Sequence, residues 1–404
     1  MFDAFGLYKK KRQLIFARSL ASRKIDFLGF IHYTRGMRKI CYVANTDMAI
    51  RFILFNHLKF LKKKGYDVCA VCSKGDLIKE VREKGIKVKI INFNRGLNPF
   101  AHLVSLFRLI SFFRKEKFDI IHTHNPVPCL LGQLAAKIVG IPCIISTIHG
   151  LYFQGAGGIK RKFFIFIEKI SARCSDRIFS VSNGIIDVMI KENICSLDKI
   201  KYLGNGIDIE RFNSKRFSKE FIDKKKKELG ISGFKVIGII GRLVKEKGYL
   251  ELFEAVKDLP ETKLLVIGPE EPKKKDRLDI NNRKNVLFLG QRTDVDELYP
   301  LFDIFVLPSY REGLPYSIIE ASSSSVPVVA SDIPACLEAV DNGVTGILVP
   351  VKDVVKLKEA LTFLLNNPEK AKLMGRNGRR KVGKEFDEKI IFNKLIKEYD
   401  QICQ

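Results

Sequence analysis

The chain runs to 404 residues, longer than one hydrophobic core usually grows, so two domains of ordinary size are expected. Hydrophobic residues make up 46% and aromatics 10%, which excludes a disordered chain. A formal net charge of +26 implies an anionic partner, without choosing among nucleic acid, a membrane surface and phosphorylated substrates.

No apolar run reaches the roughly 18 residues of a membrane helix. Arg108 interrupts Leu103 to Phe113, Lys137 interrupts the run after Cys129, and Arg18 breaks the only early apolar stretch, so no secretory signal is expected. The nine cysteines are an odd number. Cys69 and Cys72 have no partner pair at zinc spacing and read as buried strand residues, and the pattern fits a reducing cytoplasm.

Residues 1–36 hold eight basic residues against Asp3 and Asp26, interleaved with Phe, Leu and Ile. They read either as an upstream extension that is not the native start or as a basic segment for a membrane interface. From Arg38 the pattern alternates in α/β fashion: strand 39–44, helix near 49–63, strand 67–72, helix 76–84 and strand 86–92. Helix 99–116, strand 119–122, helix 127–139 and strand 141–146 follow. This predicts a doubly wound parallel sheet with ligands at the carboxyl ends of its strands. His122, His124 and His149 fall at such ends, with Asn125 beside them. Metal binding would need them to converge, and no other ligand-spaced cluster is present. The stretch Ile159 to Ile170 mixes cations with a dense Phe/Ile face, either a core helix with a solvated basic edge or a membrane-facing one. The lysine-rich stretch 214–228 reads as a linker and a surface helix.

The second half opens with strand 235–240 and then Gly241-Arg-Leu-Val-Lys-Glu-Lys-Gly248. This loop lacks a Walker ending, but it places Arg242 and Lys247 at a strand-to-helix turn, where two cations can meet a diphosphate. Asp294 and Asp296 precede a helical run and read as helix-capping residues rather than metal ligands. Strand 303–307 leads into Pro308-Ser-Tyr-Arg-Glu-Gly-Leu-Pro-Tyr-Ser-Ile-Ile-Glu320. Gly313 permits close backbone approach, Pro315 suits a first helical turn, and the helix start offers N–H groups to a phosphate or sugar oxygen. Glu320 can hold a ribose diol while Glu312 faces a second hydroxylated group. The plain alternative is two solvent-facing glutamates.

The spacing of Glu312 and Glu320, the Arg242/Lys247 loop and the Thr147-Ile-His149-Gly loop together resemble the retaining nucleotide-sugar glycosyltransferases of family 4. Ser180-Val-Ser-Asn, Gly204-Asn-Gly-Ile-Asp208 and the closing strands around Val326 and Gly346 extend the resemblance over about residues 38–400. It implies a GT-B fold of two Rossmann-like domains: 37–213 for the acceptor, 214–385 for the donor, and a terminal helix in 386–404 that can pack back on the first domain. It implies a UDP- or GDP-linked sugar donor held by Gly241, Arg242, Lys247, Arg292, Glu312, Gly313, Leu314, Pro315 and Glu320. His149, Arg242, Lys247 and Glu312 carry the catalysis, and His124, Asn125 and His149 line the acceptor side. No metal or other cofactor is implied. The loop Asn45-Thr-Asp-Met lacks the paired glycines of many members, which leaves the acceptor side open.

Implied partners are a glycan or polyprenyl-linked acceptor and an anionic membrane surface, with the protein on the inner face of the plasma membrane. Two other readings stand beside this one: a nucleotide-sugar epimerase of the same fold, and a basic nucleic-acid- or membrane-binding protein without catalysis. No nucleic-acid-binding motif is recognised, so no nucleic-acid partner is expected.

Overall fold

A computed structural model of the protein describes residues 37–94, 98–124, 126–270 and 283–403. Residues 1–36 and Asn125 lie outside the described residues, so the readings made of them stay with the sequence. The chain builds two parallel sheets. The first runs β3-β2-β1-β4-β5-β6-β7, with β1 Lys39–Val43, β2 Asp67–Cys72, β3 Lys87–Ile90, β4 Ile120–His124, β5 Cys143–Ile148, β6 Arg177–Ser180 and β7 Ile200–Tyr202. The second runs β10-β9-β8-β11-β12-β13, with β8 Lys235–Ile240, β9 Thr262–Ile267, β10 Val286–Gly290, β11 Ile304–Leu307, β12 Val328–Ser331 and β13 Gly346–Val349. These strands are apolar runs because helices cover both faces of each sheet, as the burial of Ile40 through Val43 and of Ile304 through Leu307 illustrates. Strand order reverses between β1 and β4 and between β8 and β11, which opens a crevice at the carboxyl edge of each sheet.

Local chemistry sets the element ends. Asn98 caps the Pro99–Glu116 helix by accepting a hydrogen bond from Ala101 N–H, Pro99 sits in its first turn, and Lys117 closes it in the left-handed conformation. Ser182 and Ser218 cap the Asn183–Lys191 and Lys219–Glu228 helices in the same way. Several predicted boundaries shift. The helix expected over 49–63 begins as a π-helical turn, Ala49–Leu54, before the α-helix Phe55–Lys63. The strand expected over 141–146 is Cys143–Ile148, because Pro142 has no N–H for the ladder. The strand expected over 119–122 extends to His124, so His122 lies inside β4 rather than at its end.

The chain ends where it began. The Glu388–Ile402 helix returns to the first domain and packs Ile391, Leu395 and Tyr399 into one core with Ile40, Tyr42 and Leu58. The crossing is pinned by main-chain bonds: Ile207 N–H donates to Phe386 O and Glu388 N–H to Ile207 O, each at 2.9 Å. Cys143 and Cys403 are joined in a disulfide, which corrects the expectation of reduced thiols for these two; the remaining cysteines, Cys69 and Cys72 among them, are free. Their separation of 260 residues explains why spacing gave no hint of the pair.

This packing makes the terminal helix part of the first domain's core. Leu395→Ala, at a fully buried position, should cost about 2–5 kcal/mol of stability in urea unfolding. A change under about 1 kcal/mol would mean that the helix only rests on the surface.

Candidate active site

The two crevices face each other, and the second domain supplies the charged groups. Gly241 follows β8 directly and is held there: its N–H donates to Ile267 O at 2.9 Å, and its carbonyl accepts from the Tyr249 hydroxyl at 2.9 Å. Arg242 comes next and is exposed. The loop then coils into a short turn, Lys245–Lys247, which brings the Lys247 stem alongside Gly241. Gly248 ends the turn at φ +71, with Pro308 O only 2.1 Å from where a Cβ would be, so no other residue fits. Lys247 Nζ meets Glu312 Oε1 at 2.5 Å, both side chains being largely buried. The carboxylate and cation predicted from separate motifs are thus direct partners.

Beyond Glu312 the chain presses against the first domain. A Cβ on Gly313 would lie 1.9 Å from His149 O, so glycine alone permits this contact. Leu314 O accepts from Asn205 Nδ2 at 3.0 Å, and the Tyr316 hydroxyl donates to Asn205 Oδ1 at 3.1 Å. Pro315 occupies the N-cap position, one residue earlier than the first-turn place expected, and the helix is Tyr316–Ser323. Glu320, in its second turn, accepts from the Tyr299 hydroxyl at 2.7 Å and lines a small cavity with Arg51, Asn56, Arg211 and Glu388. Glu312 is not among the residues lining that cavity.

Arg292 is held by Asp294 in a two-pronged pair, at 2.8 and 2.5 Å. Asp296 is taken by Arg211 at 2.8 Å and Arg216 at 3.2 Å. Asp294 stands at the N-cap of the Val295–Leu298 helix, but its side chain makes no capping bond. The capping expectation is corrected: ion pairing with Arg292 and Lys225 outcompetes it.

The histidines divide by depth. His122 is a core residue, with Nε2 at 2.7 Å from Thr147 Oγ1 and Nδ1 at 2.5 Å from the Tyr399 hydroxyl. That hydroxyl is 2.9 Å from Tyr42 Oη. His124 stacks on His122, ring centroids 4.4 Å apart, and its Nδ1 lies 3.1 Å from His149 Nε2. Burial lowers the pKa of His149 to about 4 and that of His124 well below its usual value, neighbouring histidines adding to the latter. Both are therefore neutral near pH 7, one donating to the other. Among the described residues no three His, Cys, Asp or Glu side chains gather as a metal-binding group.

Sequence reasoning assigned no role to Tyr399, Asn205 and Tyr299, which touch His122, Leu314 and Glu320 respectively. The only available signal for Tyr399 was its place on one face of the last helix with Ile391 and Leu395.

Comparison with known proteins fits this geometry. The family model for glycosyl transferases group 1 matches residues 221–381, and that for glycosyltransferase family 4 matches residues 53–211. The chain is 31% identical, over 90% of its length and 97% of the relative's, to the capsular polysaccharide biosynthesis glycosyltransferase CapM of Staphylococcus aureus. The chain belongs to the family 4 glycosyltransferases. It is also 28% identical, over 91% of its length and 96% of the relative's, to the Escherichia coli UDP-Gal:alpha-D-GlcNAc-diphosphoundecaprenol alpha-1,3-galactosyltransferase. In fold this glycosyltransferase resembles Anabaena Alr3699/HepE, solved with UDP and glucose, at a TM-score of 0.79 and 19% identity, covering 90% of this chain and 100% of that one. The fold is GT-B, as the resemblance implied.

Glu320 gives this glycosyltransferase a pH signature. Burial raises its pKa to about 7, although the Tyr299 hydroxyl and Arg211 favour the ionised form. A carboxyl whose folded pKa is raised stabilises the fold at low pH and loses that contribution as pH rises to about 7. Glu320→Gln should therefore melt near wild type at a pH of about 4, and the variant should be the more stable by about 1–3 kcal/mol at about pH 8. A gap that does not widen with pH would show that the carboxylate is not burdened by burial.

Proposed function

We propose that this glycosyltransferase moves a hexosyl group, with retention, from a UDP- or GDP-linked donor to a lipid-linked glycan in the synthesis of a cell-surface polysaccharide. The observation that carries the reading is the Lys247–Glu312 pair, which joins the loops that follow the neighbouring parallel strands β8 and β11, shortly before the Tyr316–Ser323 helix. Arg242, Lys247 and the N–H groups of that helix start bind the donor diphosphate, and Glu312 takes a sugar hydroxyl. Gly313, Leu314 and Pro315 line the sugar with backbone groups, Glu320 receives the ribose, and the loop of Arg292 receives the base. During transfer the bond from the anomeric carbon to the diphosphate oxygen breaks, and the new bond to the acceptor oxygen forms on the same face. The acceptor proton passes to a diphosphate oxygen. The main task of the protein is to stabilise the negative charge that develops on the leaving nucleoside diphosphate, which fixed cations and N–H dipoles do without reorganising. Neutral His149 and His124 serve as hydrogen-bonding groups to sugar or acceptor hydroxyls. The reaction needs no metal.

The lipid-linked acceptor is supported by two relatives named for diphosphoundecaprenol substrates, one from Escherichia coli and one from Campylobacter jejuni. It is supported also by the surface of the first domain. Phe100 and Phe107 on the Pro99–Glu116 helix are 80% and 67% exposed, and Ile159 and Phe166 on the Gly158–Cys174 helix are 87% and 58% exposed. Both helices follow strands of the first sheet, after β3 and β5, and start at its carboxyl edge. Lys160 and Lys162 stand among them, exposed. Exposed apolar side chains beside cations suit an anionic lipid surface. Among the described residues no helix is long and apolar enough to cross a membrane. The protein then works peripherally, on the cytoplasmic face.

Arg242→Ala should lower turnover about a hundredfold or more, and wild-type turnover should survive excess EDTA. UDP-galactose with α-D-GlcNAc-diphosphoundecaprenol is the first pair to assay, within a panel of UDP- and GDP-sugars. Near-normal turnover in the variant, or loss in EDTA restored by manganese, would overturn the scheme. In flotation with phosphatidylglycerol vesicles at low salt, the wild type should float, and Lys160→Glu with Lys162→Glu should reduce binding about tenfold or more. Wild-type protein left entirely at the bottom of the gradient would refute the membrane assignment.

A further inference from the structure

His124 and His149 meet at the carboxyl ends of two paired strands, His124 as the last residue of β4 and His149 just after β5. Their facing nitrogens, His124 Nδ1 and His149 Nε2, lie 3.1 Å apart. Burial keeps both rings neutral, so each carries a single ring proton and only one ring donates to the other. The outer nitrogens differ. His124 is 2% exposed and its Nε2 is buried with no hydrogen-bond partner. His149 is half-buried, and its Nδ1 has no partner among the described residues. We infer that His124 is a positioning residue: through this hydrogen bond it keeps the ring proton of His149 on Nδ1, so that His149 meets a ligand as a hydrogen-bond donor and not as a base. The inference rests on the reading of His149 as a ligand contact.

Two proton arrangements satisfy the contact. If His149 Nε2–H donated, His124 Nδ1 would accept, and the proton of His124 would sit on Nε2, a buried N–H with nothing to receive it. If His124 Nδ1–H donates, only a lone pair stays unpaired at its Nε2. Proteins tolerate an under-satisfied buried acceptor more readily than an orphaned buried N–H, so the second arrangement is favoured. The tautomer of His149 follows: its bare Nε2 takes the bond, and its proton stands on Nδ1.

The neighbours hold both rings in place for this. The His124 ring stacks on His122 and lies 4.9 Å from the Tyr42 ring, centroid to centroid. His122 is itself fixed at both nitrogens, by Thr147 Oγ1 and the Tyr399 hydroxyl. The His149 backbone is held from the other domain, where Gly313 packs against its carbonyl. His124 thus keeps Nε2 buried and serves a ligand hydroxyl through His149. The consequence is chemical. A bare Nδ1 on His149 would accept a proton from a hydroxyl, whereas Nδ1–H donates to an oxygen and takes nothing from it. With His149 so set, the acceptor proton is left to the diphosphate oxygen, as the proposed transfer requires.

Nitrogen NMR of protein labelled with 15N-histidine reads the tautomers directly, and with six histidines in the chain each signal is assigned by single substitution. At about pH 7 the wild type should show His149 protonated at Nδ1 and bare at Nε2, and His124 protonated at Nδ1. A proton on His149 Nε2 overturns the inference without any variant. His124→Asn keeps an N–H donor in the place of Nδ1–H, and His124→Phe offers none. With UDP-galactose and α-D-GlcNAc-diphosphoundecaprenol, or whichever pair of the panel the wild type uses, His124→Phe should lower kcat about tenfold or more. In the same variant part of the His149 signal should move to the Nε2-protonated form. His124→Asn should keep the wild-type tautomer and a kcat within about threefold. Affinity for the donor's nucleoside diphosphate, by calorimetry, should stay within about twofold in both, which also reports folding. Equal losses of kcat in the two folded variants, or an unchanged His149 tautomer in His124→Phe, make His124 a packing residue and overturn the inference. If His149→Ala keeps wild-type turnover, the reading of His149 as a ligand contact fails, and the positioning role falls with it whatever the spectrum shows.

Discussion

The chemistry of this protein turns on one buried charge pair, Lys247 with Glu312. Such a pair is a poor way to stabilise a fold, because removing both charges from water costs about what their attraction returns. Its value lies in what it keeps ready. While the cleft is empty, each group neutralises the other. In the proposed scheme a diphosphate gives Lys247 a second anion to serve and leaves Glu312 to seek a hydroxyl donor. A sugar joined to that diphosphate would supply such a donor. The pair therefore favours ligands that carry both features.

Holding this pair against the first domain needs a tight interface, and small residues provide it. Gly313 at His149 and Gly184 at Pro334 are places where a Cβ has no room, and at Gly155 a Cβ would push the Arg311 guanidinium aside. Asn205 ties the Leu314 carbonyl and the Tyr316 hydroxyl to the first domain with one amide. The Glu388–Ile402 helix adds covalent continuity: the last residues of the chain belong to the core of the first domain. A chain that crosses twice between domains, at 207 and 387, confines their relative motion to what the crossing permits.

The sequence made most of this legible, but unevenly. The parallel strands were readable because burial on both faces leaves continuous apolar runs, as in Ile304–Leu307. Arg242, Lys247, Glu312 and Glu320 could be singled out because they stand at fixed offsets from strand ends, and the structure joins two of them, Lys247 and Glu312. What stayed hidden involves contacts across large sequence separations. Tyr399 meets His122 across 277 residues and Cys143 meets Cys403 across 260, and neither leaves a local pattern. Asp294 shows the opposite failure: its local pattern was correctly that of an N-cap, but Arg292 and Lys225 compete for the same carboxylate and win.

Burial also decides which ionisable groups can act. It drives His124 and His149 to the neutral form, so that neither brings a positive charge to the leaving diphosphate. It raises Glu320, so that its ionised form is costly until something in the cavity hydrogen-bonds to it. A ribose diol does this with two O–H donors, where a phosphate would only add repulsion. The same desolvation that silences the histidines therefore sharpens the carboxylate's preference for a neutral hydroxyl pair. In the proposed scheme charge compensation for the diphosphate is left to Arg242 and Lys247, on a loop that Gly248 alone allows to turn. The net charge of +26 over the chain draws anions toward the protein, and in the proposed scheme these two cations would set where a diphosphate comes to rest.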